Sequence, residues 1–573
     1  MKSLLLLAAT ICCACCSSMQ PKHHPDYSVS SGFTLDSLDA RDPQVIENLG
    51  VTCRVWGYVK YHHPVFADST LNVDYELFGL LPQVAKATPA KRNKVLSEWV
   101  KGLGRFSTDK AEYDEALKTV KCTRTADLLW MDDSARLGNV LPRLLRELRY
   151  AKREANRYTD FTANAGNFVM RNESTAGSSD DCGYRMLFLF RFWNVIEYFS
   201  PNRNLTDTPW SEIPEKYIPL FIPGQTPGNP NQAMLLRELC DSHSALVRYN
   251  MFGYNTVPAE VRNAEDRVFV IADGPLRKGD EILSIDSRGW KSTHDGLARF
   301  EAASNAENRN YMTAMCMVCS HRDTAAVELV RDGRRLTERI ATRSVMDWSP
   351  YITERMLDTA NIRMVADGIG YMTGVNYTKA DGARIMEKFR DTKALIVDLR
   401  CYPREFMIFD FIGRYFMPRT SPHVIWLAPT GALPGVFHEL QDSLFVNPDN
   451  PAVAENPDYY KGRVIVLVDS STQSQAEYTA MAFQATPRCT IVGTQTAGAD
   501  GNISALVMPG GDFGYFSGLG VLYPDGTNTQ RAGVRIDVPV YATVPGLQAG
   551  RDEILEKALE IIATGAYDPA AKI

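Results

Sequence analysis

The chain has 573 residues, of which 45% are hydrophobic and 23% charged, and this composition excludes disordered and collagen-like proteins. At roughly 100–200 residues per domain, the length predicts about three to four domains. The formal net charge is −6, from 62 basic and 68 acidic residues, which leaves no electrostatic footprint for nucleic acid. We therefore expect a multi-domain globular protein that does not bind nucleic acid.

Residues 1–20 have the features of an export signal. Met1-Lys2 is followed by a short apolar run that ends at Ile11 and is too brief to span a bilayer. Cysteines follow at once, and Cys15 after Ala14 is similar to the lipid-acceptor cysteine of bacterial lipoproteins. The segment predicts a lipid-anchored protein of the bacterial cell envelope, facing the periplasm or on the outer membrane. The alternative is an ordinary cleaved signal and a secreted protein.

The remaining cysteines are too sparse for a disulfide framework. Cys316 and Cys319 have CxxC spacing, but no second pair and no histidine pattern completes a zinc site. We expect these two residues to be buried thiols or a local disulfide, and we expect no metal site.

A helical pattern occurs twice in the first half of the chain. The segment Arg54–Pro64 returns 137 residues later as Arg191–Pro201, with its arginine, tryptophan, tyrosine and proline at matching positions. The apolar residues of both copies follow helical spacing, and a proline ends each run. We predict two helical units, residues 21–165 and 183–260, joined through a polar loop.

Residues 262–345 are rich in short alternating strands. Arg267–Ala272 predicts a strand, Leu276–Asp286 predicts a Gly-Asp turn that leads into an alternating strand, and Ala326–Arg331 predicts a strand that leads into an Asp-Gly hairpin turn. With a helix predicted at Gly296–Ala303, this order resembles a PDZ domain. Domains of that kind capture extended polypeptide ends at a sheet edge. A generic small β module is the alternative.

Residues 350–565 alternate strands and helices. Ala394–Leu399 and Arg463–Val468 are continuous apolar strands, and helices are predicted near Asp381–Arg390 and from Ala476. Apolar strands with intervening helices indicate a sheet that is buried on both faces in an α/β domain.

The strand at Arg463–Val468 runs into a turn of small residues that contains Ser470, Ser471 and Ser474. A serine at a helix N-terminus is usually a cap. A nucleophile uses the same geometry, because the free N–H groups at the helix start can hold an oxyanion. The residues alone leave both roles open.

The order of these segments resembles the S41 peptidases, which are the C-terminal-processing and tricorn-type serine proteases. Their nucleophile lies in a serine-rich turn three residues before a glutamate, which corresponds here to Ser474 before Glu477. Other motifs that carry the resemblance are Gly370-Tyr371, Asp398-Leu399-Arg400, Gly493–Gly498, and Gly533-Val534 with Asp537. The resemblance implies a multi-domain α+β fold with a ClpP/crotonase-like α/β core. It also implies a serine peptidase without metal or organic cofactor.

The resemblance also implies a base. The processing-protease branch has a lysine in a Gly-Lys-Gly motif, but this chain has Gly498–Gly501 there without a lysine. The tricorn branch takes its base from a Ser-His pair, which matches Ser242-His243 in residues and placement. An imidazole with a pKa of about 6.5 can accept the seryl proton at neutral pH. We therefore predict His243 as the base.

The third member of the triad is less well defined. The resemblance places Gln530 where tricorn-type proteins have a glutamate. A glutamine can orient an imidazole but cannot stabilise an imidazolium as a carboxylate does. Either Ser242 and Gln530 orient His243, or an acid that the motifs do not assign does so, with Asp500 and Asp525 as candidates.

The expected oxyanion hole departs from the family pattern. The backbone N–H of Gln475 is the predicted first donor, but Cys401–Glu405 replaces the usual glycine-rich run, and Pro403 has no N–H. The preferred function is an exported, membrane-anchored serine endopeptidase whose PDZ-like module binds or gates polypeptide ends. The alternative, which Gln530 and the absent lysine favour, is a degenerate relative that binds peptides or an apolar ligand without hydrolysis.

Overall fold

The computed structural model describes residues 25–67, 71–120, 124–153, 155–223, 230–244, 251–347, 361–511 and 513–569. The predicted export signal and the proposed lipid acceptor Cys15 lie outside these residues. Within the described part of the chain, no helix is both long and apolar enough to cross a membrane. The architecture is a mixture of many helices and several sheets, as the sequence predicts.

Helices dominate the first part of the chain, and all of them except Lys110–Thr119, which has no buried residue, contribute apolar side chains to one core. The elements are α1 (Pro43–His62), α2 (Val73–Val84), α3 (Pro89–Gly102), α4 (Lys110–Thr119), α5 (Ser134–Leu137), α6 (Val140–Arg149), the hairpin strands β1 (Thr159–Phe161) and β2 (Phe168–Met170), α7 (Cys182–Phe199), α8 (Ile213–Phe221) and α9 (Pro230–Arg237).

The two copies of the repeated pattern lie on α1 and α7 and pack against each other. Gly57 leaves the space that the Asn194 side chain occupies, and Asn194 Nδ2 donates to the Cys53 carbonyl at 2.9 Å. Trp56 and Trp193 each donate from Nε1 to a carbonyl 17 residues further along the chain. The copies therefore form two related halves of one packed core.

Each copy pairs its arginine with an acid that follows the other copy. Arg54 Nη1 lies 2.8 Å from Glu215, and Arg191 Nη2 lies 2.7 Å from Asp74. Both arginine side chains are almost fully buried. Since a buried ion without its partner is strongly destabilising, this exchange ties the two halves together.

The middle part of the chain is rich in strands. Its elements are β3 (Asn255–Thr256), β4 (Val261–Ala264), β5 (Arg267–Val270), β6 (Glu281–Ile285), α10 (Trp290–Phe300), α11 (Ala306–Met317), β7 (Cys319–Ser320), β8 (Thr324–Arg331), β9 (Arg334–Ala341) and β10 (Arg343–Ser344). Strands β4, β5, β6, β8 and β9 form an antiparallel sheet in that order, and α11 packs beside β4. Cys316 and Cys319 are buried thiols at the end of α11 and the start of β7.

The last part of the chain is the α/β core that the apolar strands predict. Its elements are β11 (Arg363–Ala366), β12 (Ile369–Thr373), α12 (Gly382–Phe389), β13 (Ala394–Asp398), α13 (Arg414–Phe416), β14 (Ser421–Pro429), β15 (Phe437–Leu444), β16 (Arg463–Val468), α14 (Gln475–Gln484), β17 (Cys489–Gly493), β18 (Ile503–Val507), β19 (Phe513–Ser517), β20 (Gly520–Leu522), β21 (Val538–Pro539), α15 (Val544–Gln548) and α16 (Glu553–Thr564).

The main sheet of this core has the strand order β11-β12-β13-β16-β17-β21, and its strands run parallel except β11. The carboxyl ends of parallel strands meet at one edge of a sheet, where α/β proteins bind their ligands. The turn after β16, which contains the candidate serines, lies at this edge.

The hairpin β18–β19 connects the α/β core to the helical part. Leu506, Met508 and Phe516 are buried in the helical core, far along the chain from α1 to α9. This insertion places Ser517, the last residue of β19, beside the loop that follows α9. Two distant parts of the sequence thereby meet at the candidate site.

Candidate active site

Ser474 lies between β16 and α14 in an unusual backbone conformation, with φ 56° and ψ −123°. This region is unfavourable for any residue except glycine. The neighbouring Ser471 hydroxyl donates to Asp469 at 2.5 Å, and the Ser474 N–H donates to the Ala499 carbonyl at 3.0 Å. A strained strand-to-helix turn of this kind presents the nucleophilic serine in many hydrolases. The geometry therefore favours Ser474 over Ser471 as a nucleophile.

Glu477, in the first turn of α14, holds this turn together. Its carboxyl group accepts hydrogen bonds from the Thr496 hydroxyl at 2.5 Å and from the Gly498 N–H at 2.8 Å. It also accepts from the N–H groups of Ala499 at 3.1 Å and Ser474 at 3.2 Å. One buried side chain thus connects the serine turn to the loop after β17.

Asp500 is buried beside Glu477 rather than at His243. Burial and the neighbouring Glu477 carboxyl raise the pKa of Asp500 well above its usual range. Glu477 has four donors, whereas the Asp500 carboxyl accepts from the Gly501 N–H at 2.7 Å and its Oδ2 has no partner within the described residues. A proton shared by this pair therefore resides on Asp500, which is a structural acid here.

Replacing Asp500 by asparagine should change how stability depends on pH. In the wild type the folded state binds a proton at Asp500 that the unfolded chain releases above its ordinary pKa, so stability is lost as pH rises. The neutral amide of the variant removes this loss. As pH rises, the free energy of unfolding of the variant should therefore gain on that of the wild type by up to about 1.4 kcal/mol per pH unit while Asp500 titrates. Denaturant unfolding at pH 5 to 9 measures it. Parallel curves for the two proteins would contradict the assignment.

His243 follows α9 and is held in a fixed orientation. Its side chain is 9% exposed, and Nδ1 lies 2.8 Å from the Ser517 hydroxyl. Nε2 is buried and has no hydrogen-bond partner within the described residues. Burial lowers the pKa of His243, although the Asp241 carboxylate opposes that shift. The imidazole is therefore neutral at neutral pH.

Asp241 and Ser517 determine which nitrogen of His243 has the proton. The Asp241 carboxylate accepts three hydrogen bonds: from the Ser517 hydroxyl at 3.0 Å, from the backbone N–H of Ser517 at 2.6 Å and from the backbone N–H of His243 at 3.1 Å. Since the one hydroxyl proton of Ser517 points at Asp241, its oxygen must accept the proton of His243 Nδ1. Nε2 is then left with a lone pair, as a general base requires.

The two predicted catalytic residues lie in neighbouring loops. Gln473, which precedes Ser474, donates from Nε2 to the carbonyl of Ser242, which precedes His243, at 3.3 Å. Ser474 does not hydrogen-bond His243, because His243 Nε2 has no partner in the described residues. In substrate-free enzymes this bond is often long and tightens only in the complex.

The other residues that the sequence suggested as orienting groups have different partners. The Ser242 hydroxyl donates to Asn308 Oδ1 at 2.8 Å, and Gln530 is buried with Nε2 lacking a partner in the described residues. Asp525 pairs with Arg535 at 2.6 Å on the surface. The hydrogen bonds around His243 Nδ1 therefore come from Ser517 and Asp241, and not from Ser242, Gln530 or Asp525.

The backbone N–H of Gln475 lies at the first position of α14, where an amide has no acceptor within the helix. In the segment after β13, three amides are already engaged: Leu399 donates to Leu467, Arg400 to Asp398, and Arg404 to Gly374. The Gln475 amide therefore stays the candidate first donor, and these three amides do not supply a second.

Sequence reasoning did not assign Asp241 or Ser517. Asp241 has a visible signal, since it directly precedes the Ser-His pair and its carboxylate can turn back on the next residues. Ser517 has none, because it lies 274 residues from His243 in an ordinary strand.

Residues 438–540 match the peptidase family S41. The matched segment extends from β15 to β21 and contains Ser474, Gln475 and Gln530. No curated protein matches the chain. The family match supports a serine-type peptidase, which is the enzyme class that the sequence predicts.

Three solved structures superpose on the chain. Mature CPAF has a TM-score of 0.49 at 13% identity, covering 67% of this chain and 98% of that one. The photosystem II D1 C-terminal processing protease has a TM-score of 0.36 at 17% identity, covering 67% and 99%. The tricorn protease has a TM-score of 0.34 at 14% identity, covering 71% and 42%. At such scores, the functional assignment rests on the family match and the site geometry.

Proposed function

We propose that the chain is a serine endopeptidase in which Ser474 is the nucleophile and His243 the general base. The observation that carries this proposal is the hydrogen-bonded series Asp241–Ser517–His243. It ends in a buried, unpartnered Nε2, and the loop of His243 contacts the Ser474 turn through the Gln473–Ser242 hydrogen bond. A nitrogen buried without a partner is costly, and a catalytic role is one explanation for such a group.

In the proposed reaction, the Ser474 oxygen attacks a peptide carbonyl carbon and gives its proton to His243 Nε2. The imidazolium that forms is stabilised by Asp241 through the polarised Ser517 hydroxyl. The imidazolium then returns the proton to the leaving amine, and the acyl-enzyme remains on Ser474. Water hydrolyses that ester with His243 again as the base. The Gln475 N–H stabilises the developing oxyanion.

A cavity of 440 Å³ opens on the turn that also contains Ser474, and its volume lies within the range of ligand pockets. It is lined by the β4 end of the middle sheet, by α11, by residues 541–545 and by the turn after β16, where Ser470 contributes to its wall. Ser474 and His243 themselves do not line it. A binding space against the serine turn supports this face of the α/β core as the substrate side.

Export and anchoring form part of the proposal. The apolar start of the sequence and Cys15 support delivery to the cell envelope with a lipid anchor. The antiparallel sheet of the middle part, with α11 beside its edge strand β4, supports a PDZ-like role in binding or gating polypeptide ends.

Active-site labelling tests the proposed function. A fluorophosphonate that reacts with activated serines should form one adduct on the native protein, and mass spectrometry should locate it on Ser474. Ser471→Ala is the matched control and should label normally, since the Ser471 hydroxyl is already bonded to Asp469. A native protein that forms no adduct would favour a degenerate peptide-binding protein, and an adduct on another residue would remove Ser474 as the nucleophile.

A further inference from the structure

The loop that contains His243 is held by the strand-rich middle part of the chain as well as by the α/β core. Ser304, which lies between α10 and α11, exchanges two hydrogen bonds with Ser242. The Ser242 N–H donates to the Ser304 hydroxyl at 2.9 Å, and the Ser304 N–H donates to the Ser242 hydroxyl at 2.8 Å. Ser304 is 1% exposed and Ser242 is 7% exposed. This reciprocal pair fixes the backbone directly before His243.

Asn308, in the first turn of α11, contacts both catalytic loops. Its Oδ1 accepts the Ser242 hydroxyl proton at 2.8 Å, and its Nδ2 lies 3.4 Å from the Ser470 carbonyl oxygen. The side chain is 1% exposed, and the Asn308 N–H donates to the Asn305 side chain at 2.9 Å. One rigid amide therefore spans the loop before the base and the turn before the nucleophile.

Asn305 makes a parallel connection to the loop after β17. Its Nδ2 donates to the carbonyl oxygens of Thr496 at 2.9 Å and Ala497 at 3.2 Å. This loop also accepts the Ser474 N–H, through Ala499. The segment from Ser304 to Asn308 is thus wedged between the loops that contain the two catalytic residues.

We propose that Asn308 is a positioning residue that sets the distance between His243 and Ser474. The inference rests on the proposed function. The Ser242 hydroxyl has a second acceptor, the Ala497 carbonyl at 3.4 Å. Without Asn308 Oδ1 the hydroxyl turns toward Ala497, and the bond with Ser304 is distorted. The imidazole then shifts relative to the seryl oxygen, and a displacement of about 1 Å at a catalytic group costs about 100-fold in rate.

The test measures fluorophosphonate labelling of the full chain, with the maximal rate kinact separated from the half-saturation constant KI. Asn308→Ala should lower kinact by about 10- to 100-fold with KI unchanged. Asn308→Asp keeps the acceptor for Ser242 but loses the donor to the Ser470 carbonyl and buries a carboxylate there, so kinact should fall in this variant as well. Ser242→Ala should also lower kinact, and the double variant should fall by less than the product of the two single effects, as expected of residues that share one contact.

Asn48→Ala is the matched control. Asn48 is fully buried in α1 and donates to the carbonyls of Ala85 and Ala87, so its loss costs stability far from the site. This variant should unfold more easily than wild type and keep the wild-type kinact. Labelling of Asn308→Ala at the wild-type kinact would overturn this inference, and so would a fall in the kinact of Asn48→Ala as large as that of Asn308→Ala. Either result would leave the proposed function standing. An unlabelled wild-type protein would overturn the proposed function as well.

Discussion

Replacing His243 by alanine will lower the rate of fluorophosphonate labelling at Ser474 by about 10⁴- to 10⁶-fold. In the proposed mechanism the buried Nε2 of this imidazole accepts the seryl proton, and an alanine leaves the hydroxyl without a base. In the wild type the rate should fall only below about pH 6.5, because the lowered pKa keeps the imidazole neutral into mildly acidic solution. Stopped-flow or gel-based labelling across pH 4 to 9 measures both effects.

His294→Ala provides the control for the loss of a histidine. His294 lies on α10, where its ring stacks on Trp290, and it has no contact with the proposed relay. The rate of this variant should equal that of wild type. Undiminished labelling of His243→Ala would remove His243 from the mechanism and leave Ser474 with another base.

Replacing Asp241 by asparagine will lower the labelling rate by about 10²- to 10⁴-fold. The upper bound is the effect in triads whose aspartate bonds the histidine directly, whereas Ser517 lies between the two residues here. An asparagine amide can donate to Ser517, whose hydroxyl proton then turns to His243 Nδ1. The imidazole proton moves to Nε2, which is the wrong tautomer for a base. Because Asp241 raises the pKa of His243, the acid limb of the remaining activity should also move to lower pH.

Variants at Ser517 separate this tautomer effect from simple loss of packing. Ser517→Ala breaks the relay and should slow labelling, whereas Ser517→Thr keeps the hydroxyl and should restore part of the rate. Thermal unfolding of each variant establishes that the fold is retained. A normal rate for Asp241→Asn, or an acid limb that moves to higher pH, would contradict the proposed relay.

The sequence predicts the α/β core well, because its strands are continuous apolar runs. The run Arg463–Val468 is β16 with the same bounds, and the predicted strand near Ala394 is β13. The second helix of the middle part was not predicted. Residues 306–317 begin with polar side chains and end with buried methionines and cysteine, so they show no amphipathic period. That helix contains Asn308, and the contact of Asn308 with Ser242 has no sequence signal.

The candidate site was predictable where its residues form local patterns. Ser474 follows a strand and precedes Glu477, and His243 follows Ser242, so each belongs to a recognisable motif. The partner of His243 depends on tertiary structure instead. The hairpin β18–β19 brings Ser517 to the loop after α9 by burying apolar residues in the helical core. Such a long-range contact leaves no trace in spacing or composition.

The φ of 56° at Ser474 has a consequence for the energetics of the whole chain. A residue with a side chain in this region costs of order 1–3 kcal/mol, which is a sizeable part of the 5–15 kcal/mol that separates folded from unfolded domains. The hydrogen bonds that Glu477 accepts from the Ser474 and Ala499 amides offset this cost. Selection for the proposed reactivity of Ser474 and selection for a higher unfolding temperature therefore act in opposite directions at this residue. We expect natural variants of higher thermal stability to have stabilising substitutions in the loop that follows β17 and to keep Ser474.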